Sequence, residues 1–413
     1  MGRGLERLRE SVSPWLVAAS IGAVTLLTRL PFAGRYLFNW DAIQFAMGVQ
    51  RFDLAAHRPH PPGYVGYVML ARLLVAVTGA STDTVLVALS MIAEVVTVVG
   101  LYLVARRALG EFAGIAAALL LLTSPLFWLY GETALTYGLE PGLALMAFAL
   151  VARAVRRGDG LGWAAAVIAA AGAIRPTTEL FLLPMLGVGM LLLWSRTRSR
   201  RSMATAVLVL AGATSAWLVP LMMLSGGPFA YMEQSALLAR RVSGGSAVWS
   251  AGPGGLALNS NAVLMGLGFS LGLLLPLALA VAAFALLPVV DASAANRDWR
   301  HRGETAALVM AWVVPALTVF VLVHIGQLAY VLIAVPAVAL LAGPVLEQVA
   351  AVAAGKRLQM RRPLRAALLA GCVAVNVALF FSPRDSLSQQ VRDRDRHVSA
   401  MLAEIRGHQT GRT

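Results

Sequence analysis

Asp41 stands in the first polar interval of the chain, Asn39-Trp40-Asp41-Ala42-Ile43-Gln44-Phe45. His57, Arg58 and His60 follow, and Pro61-Pro62-Gly63-Tyr64 then opens a new apolar run. A carboxylate at such a place can take a proton from a hydroxyl as that hydroxyl attacks a carbon centre. A guanidinium offers a planar fork of donors to phosphate oxygens, and the two histidines flanking it suit a phosphate or a metal. Asp41 also reads as a merely solvated charge. Against that, Trp40 beside it and Ile43, Phe45 and Met47 after it predict a helix half-sunk in an interface, where a spare charge is costly. Asp53 reads as solvated. Tyr64 and Tyr67 read either as walls of a binding site or as part of an interfacial tyrosine belt.

Three further groups could carry chemistry. The turn Tyr130-Gly131-Glu132-Thr133-Ala134-Leu135-Thr136-Tyr137-Gly138-Leu139-Glu140 holds two acids and two tyrosines. Glu140 opens a helix, where the dipole already favours a carboxylate, but Glu132 has no such reason to be there. Asp41 and Glu132 together would give the paired oxygens that Mg²⁺ or Mn²⁺ accepts, so a divalent cation is the expected cofactor. Arg175-Pro176-Thr177-Thr178-Glu179 places an arginine between two apolar runs, where it needs an anion; Glu179 or a lipid phosphate would serve. Arg240 and Arg241, and His324, Gln327 and Tyr330 in His324-Ile325-Gly326-Gln327-Leu328-Ala329-Tyr330, are further polar spots able to face a phosphate. Glu94 falls in the middle of an apolar run, protonated or facing a polar cavity, and takes no role.

The elements that must position these residues follow from composition. The 413 residues are 59% hydrophobic with mean hydropathy +0.74, which leaves most segments no water-facing side. Apolar runs of roughly 17–25 residues recur, each long enough to cross about 30 Å of hydrocarbon, and in lipid such runs must be helices. The net charge of +14 does not point to nucleic acid, because the arginines sit in short clusters between apolar runs and act as cytoplasmic anchors. Cys372 is the one cysteine, which excludes an intrachain disulfide and a cysteine metal site. The basic N-terminus followed by Val12 to Leu30 reads as a retained first helix, not a cleaved signal.

Clusters at Arg3/Arg7/Arg9, Arg106/Arg107, Arg153/Arg156/Arg157, Arg196/Arg198/Arg200/Arg201, Arg297/Arg300/Arg302 and Lys356/Arg357/Arg361/Arg362/Arg365 set the topology. They alternate consistently if residues 63–79 lie along the outer interface without crossing, which leaves about eleven crossings. The expected architecture is an all-α polytopic membrane protein with a transmembrane domain at 1–382 and juxtamembrane helices in the first external loop. The N-terminus is cytoplasmic. Residues 383–413 form an external amphipathic tail, with Val391, Val398, Leu402 and Ile405 at helical spacing. Loop 225–260, rich in Gly and Ser, is expected to be mobile or to fold onto a ligand.

In order and type these features resemble the GT-C glycosyltransferases that use polyprenyl-phosphate sugars, among them the lipid A aminoarabinose transferases and the protein O-mannosyltransferases. The resemblance covers most of residues 1–346. It implies that Asp41 is the catalytic acid position and His60-Pro61-Pro62-Gly63-Tyr64 the Pro-Pro element. Tyr130 to Glu140 matches the second acidic turn, the family acid falling near Tyr137, which leaves Glu132, Glu140 or a metal to take its place. His324 to Tyr330 resembles the later turn near the donor phosphate. The implied function is transfer of a monosaccharide from a polyprenyl-phosphate donor to a lipid, glycan or protein acceptor on the external face of the plasma membrane. In it His57, Arg58, His60, Tyr64, Arg175, Arg240 and Arg241 are candidates for holding the donor. Two readings from other classes compete: a lipid transporter or flippase, which calls for polar residues along a path through the membrane and inverted repeats, and a non-catalytic scaffold.

Overall fold

The structure, a computed structural model, describes residues 13–286, 299–383 and 387–410. Arg3, Arg7, Arg9 and Arg297 of the basic clusters lie outside them. The described residues form helices joined by short turns, with one isolated bridge between Asp53 and Arg58 and no strand.

The chain begins with α1 (Pro14–Arg29), α2 (Trp40–Gln50), α3 (Val65–Thr78) and the long α4 (Thr82–Leu109). Next come α5 (Glu111–Leu122), α6 (Pro125–Gly131), α7 (Leu139–Arg157), α8 (Leu161–Ile174), α9 (Pro176–Thr197) and α10 (Arg200–Leu224). The rest comprises α11 (Pro228–Ser243), α12 (Val248–Leu271), α13 (Leu274–Leu286), α14 (Trp299–Leu322), α15 (Val335–Ala339), α16 (Ala342–Ala354), α17 (Arg361–Phe380) and α18 (Leu387–Thr410). Short 3₁₀ turns at Thr136–Gly138 and Leu328–Ile333 carry site residues. Local chemistry sets many of the starts: Asn39 accepts from the Ala42 amide at 3.0 Å and caps α2, and Pro125, Pro176 and Pro228 stand at first helical positions.

Among the described residues eight helices are long and apolar enough to span a bilayer, or up to ten if each of two bent pairs is one span. About eleven were expected. One expected span becomes the pair α5–α6, bent by 62°, and another the pair α12–α13, bent by 107°. α8, with 14 residues, falls short of a full crossing. Residues 65–78, expected not to cross, likewise form a short apolar helix. The pattern is that of a multi-pass membrane protein. α10 shows why: of its 25 residues only Ala206 and Leu221 are buried, while Leu208 and Met223 are exposed. A face like that is stable against lipid and not against water.

Helix α4 packs against α1, α5 and α7, and α8 against α7, α9 and α10. Small residues make the second group possible, since Ala164, Ala165, Ala169, Ala171 and Gly172 are buried on α8. At Gly66 the approach is close: a Cβ there would come within 2.8 Å of the Ala173 backbone. This contact of α3 with α8 brings the end of the Pro-Pro element beside Arg175.

Residues 225–260 are not a mobile loop. Gly226 and Gly227, at φ 90° and 103°, make a turn; α11 then runs through good helix formers, and α12 continues with a kink at Gly252. Asn259 donates to the Ser246 carbonyl at 2.9 Å and to the Val321 carbonyl at 3.1 Å, which ties the Gly/Ser turn to the end of α14. The Gly/Ser pairs mark breaks between helices.

The tail is a helix, as its periodicity predicts. Leu387, Ser388 and Val391 are buried, and Asp395 accepts from the backbone amides of Arg35 and Tyr36 at 2.9 and 3.0 Å. Its distal half does not follow the pattern inward, for Ile405 is exposed.

Candidate active site

Asp41 lies in the first turn of α2, where capping by Asn39 holds it and the helix dipole favours an anion. Its side chain is 31% exposed. The Oδ1 atom stands 4.0 Å from Nδ1 of His60, and Oδ2 accepts from Nε2 of Gln327 at 3.3 Å. His60 is held by its other nitrogen, which is 3.2 Å from the Tyr64 hydroxyl, and by the ring of Phe45 with centroids 5.6 Å apart. Burial pulls the His60 pKa down to about 4, with Asp41 opposing and Arg175 and His57 reinforcing, so the ring is neutral at physiological pH. Its Nδ1 is buried without a partner. Tyr64 adopts a left-handed conformation at φ 46°, which a bulky residue keeps only when its surroundings impose it. Here Phe45 packs edge-on at 4.9 Å, and burial lifts the phenol above its usual range.

Arg175 forms the second half of the site. It is the extended residue between α8 and α9, is 8% exposed, and donates to Glu140 at 3.1 Å. Glu140 also accepts from Thr136 at 2.8 Å and Thr178 at 3.0 Å, so three groups fix its carboxylate. The Arg175 guanidinium lies over Tyr330 at 4.3 Å and over Tyr137 at 5.2 Å. Tyr137 in turn meets Tyr130 edge-on at 5.2 Å, and the Tyr130 hydroxyl donates to Gln327 at 3.2 Å. Asp41, His60, Tyr64, Tyr130, Tyr137, Glu140, Arg175, Gln327 and Tyr330 thus form one connected group drawn from seven segments. Gly326 makes the last of these turns possible: a Cβ there would stand 2.9 Å from the Tyr330 hydroxyl and 3.0 Å from Nε2 of His324. His324 sits at the edge of the group, its Nδ1 3.0 Å from the Ser246 hydroxyl, its pKa lowered by burial.

Other expected residues fall elsewhere. Arg58 pairs its backbone with Asp53, its Nε is buried without a partner, and no hydrogen bond or ion pair joins it to Asp41. His57 takes a left-handed turn at φ 54° in the same loop. Arg240 and Arg241 are exposed in the last turn of α11, which has no buried residue. That helix reaches the site loop through Tyr231, whose hydroxyl donates to the Pro62 carbonyl at 3.2 Å. Glu179, expected beside Arg175, accepts from Thr214 instead.

Glu132 belongs to a different cluster. It is 1% exposed beside Arg29 and Glu94, and burial pushes its pKa up to about 9, Arg29 opposing and Glu94 adding. Sequence reasoning missed Arg29. As the last residue of α1 it reads as a flanking charge, yet it is the partner of Glu94. A cation site between Asp41 and Glu132 does not fit this arrangement, because an arginine already faces Glu132 and an amide N–H already faces Asp41. Among the described residues no three His, Cys, Asp or Glu side chains gather as a ligand set.

Comparison with known proteins bears on the arrangement. The sequence model of the dolichyl-phosphate-mannose-protein mannosyltransferase family matches residues 59–223. Among solved structures, ArnT from Cupriavidus metallidurans bound to undecaprenyl phosphate superposes with a TM-score of 0.57 at 16% identity, over 92% of this chain and 77% of that one. AglB from Archaeoglobus fulgidus, an archaeal oligosaccharyltransferase in complex with an inhibitory peptide and a dolichol-phosphate, gives 0.57 at 14% identity, over 92% of this chain and 56% of that one. The fold is that of the GT-C glycosyltransferases. None of the curated proteins matches by sequence. The family match takes in His60, Tyr64, Tyr130, Tyr137, Glu140 and Arg175, while Asp41 lies before it and Gln327 and Tyr330 lie beyond it.

Proposed function

We propose that the protein is a membrane glycosyltransferase that moves a monosaccharide from a polyprenyl-phosphate donor to the hydroxyl of a lipid, glycan or protein acceptor by a single inverting displacement. The observation that carries this is the convergence of Asp41 with the Arg175 stack at one end of a bundle of membrane-length helices. ArnT bound to undecaprenyl phosphate and AglB in complex with a dolichol-phosphate share the fold, which supports a donor of the polyprenyl-phosphate class. On the sequence topology this end faces outward from the plasma membrane.

In the reaction, Asp41 Oδ1 accepts the proton of the acceptor hydroxyl. His60 Nδ1, 4.0 Å from Oδ1 and without a partner, is the neighbouring polar atom with which Oδ1 would share an approaching hydroxyl, so that one lone pair faces the sugar. The acceptor O–C1 bond forms as the C1–O bond to phosphate breaks, and the electron pair leaves on the polyprenyl phosphate. Arg175 neutralises that leaving charge; a phosphate needs no strong general acid. Tyr64, Tyr137 and Tyr330 supply the walls. Glu94, the mid-span acid a transport pathway would use, is taken up by Arg29.

The test is incubation of purified protein with a panel of labelled polyprenyl-phosphate monosaccharides and a membrane-lipid extract as acceptor. Label in a product, lost on Asp41→Asn, supports the reading; translocation across vesicles without any transfer contradicts it.

A further inference from the structure

The two oxygens of Asp41 have different surroundings. Oδ2 accepts from Gln327 at 3.3 Å, and Gln327 itself accepts through Oε1 from the Tyr130 hydroxyl at 3.2 Å. Only one orientation of this amide is consistent with an ionised Asp41. A carboxylate offers acceptors alone, so the reversed amide would set Oε1 against Oδ2, two acceptors in contact. Tyr130 supplies the donor that completes the favourable orientation. The backbone fixes the amide's approach as well: Gln327 is extended, at φ −145° and ψ 148°, directly after Gly326 and before the 3₁₀ turn that carries Tyr330. Tyr130 sits on α6, where every residue is buried.

We propose that Gln327 is a positioning residue for Asp41, oriented by Tyr130, and does not hold the donor phosphate. This deepens the transferase reading and rests on Asp41 being its base. The Gln327 N–H occupies Oδ2 and stabilises the ionised carboxylate. The oxygen left to take the proton is then Oδ1, on the side of His60 Nδ1, 4.0 Å away. A base that could present either oxygen would hold the acceptor in two poses, and the chain Tyr130–Gln327–Asp41 removes one of them.

The experiment is the pH dependence of kcat/KM for transfer, with donor KM measured alongside, for wild type, Gln327→Leu, Gln327→Glu and Tyr130→Phe. With Gln327→Leu the carboxylate loses the amide donor on Oδ2, so the acidic limb moves up. Gln327→Glu sets a second carboxylate against the first and moves the limb further. Tyr130→Phe removes one hydroxyl only, frees the amide to turn, and shifts the limb in the same direction by less. Donor KM stays within about twofold in Gln327→Leu and Tyr130→Phe. A limb that stays in place while donor KM rises tenfold would show Gln327 to be a phosphate ligand and overturn the proposal. So would a loss of rate uniform across pH, the mark of a merely structural residue. Failure of the transferase reading looks different: wild type without transfer, or full transfer by Asp41→Asn.

Discussion

Arg29 and Glu94 form an ion pair at 2.9 Å with side-chain exposures of 1% and 0%. Arg29 also donates to the Leu122 carbonyl at 2.8 Å, where α5 ends, and lies over the Trp128 ring at 4.9 Å. A Cβ at Gly131 would overlap the Glu94 carboxylate, so the pair also sets the turn that leads from α6 into the acidic segment. Removing Glu94 takes from the buried Arg29 the carboxylate it is hydrogen-bonded to, with Glu132 left beside it. Glu94→Ala is expected to cost about 3–5 kcal/mol, and the double variant Arg29→Met/Glu94→Leu to recover most of it. Thermal unfolding in detergent checks both; equal losses in the single and double variants would show that the pair is not what holds this region.

Arg175 lays a planar cation over two adjoining tyrosine rings, Tyr137 and Tyr330, a geometry lysine cannot reproduce. Arg175→Lys keeps the charge and loses the stack. The expected result is a donor KM raised about tenfold with a smaller change in kcat, measured by initial rates against polyprenyl-phosphate sugar. An unchanged donor KM would remove Arg175 from the phosphate site.

His60 gives stability a pH dependence whose sign follows from its burial. Its folded pKa, near 4, lies below the ordinary value of 6.5, so the unfolded chain binds the extra proton between these limits. The contribution is present above about pH 6.5 and is lost as pH falls toward 4, on the order of 3 kcal/mol at most. His60→Gln is expected to flatten this slope in melting temperature between pH 7 and pH 4.5; an unaltered slope would assign it to other groups.

The Asp395 carboxylate bonds both backbone amides at Arg35 and Tyr36. Asp395→Ala is expected to raise hydrogen exchange across residues 387–398 while leaving α4 and α7 protected. Unchanged exchange would mean that burial of Leu387 and Val391 suffices to dock the tail.

The elements of the site were legible because polar residues are conspicuous between apolar runs. Asp41, His60, Tyr64, Arg175, Gln327 and Tyr330 each stand out in a short polar interval, and the structure gathers them. Partner choice was not legible. Arg175 selects Glu140, which three donors hold, over Glu179, four residues away on the first turn of α9, because helix packing and not sequence spacing decides which carboxylate faces it. Arg29 was hidden by position: at the end of a span an arginine looks like an anchor, and only the approach of α4 shows it to be buried. The Gly/Ser composition of 225–260 suggested a mobile loop because composition reports helix breaks but not the bonds of Ser246 and Asn259 that tie them down. Arg240 and Arg241 shared a charge type with the site and nothing else.

The central claim is that Asp41 is the base of a glycosyl transfer. Asparagine at this position keeps the size of the side chain and an oxygen able to accept from Gln327, but removes the carboxylate that takes the proton. The most direct measurement is the rate of transfer from labelled polyprenyl-phosphate sugar by Asp41→Asn, matched to wild type for expression, melting temperature and donor binding. The account predicts a fall of about a hundredfold to ten-thousandfold with donor binding retained. A rate within a few-fold of wild type would contradict it.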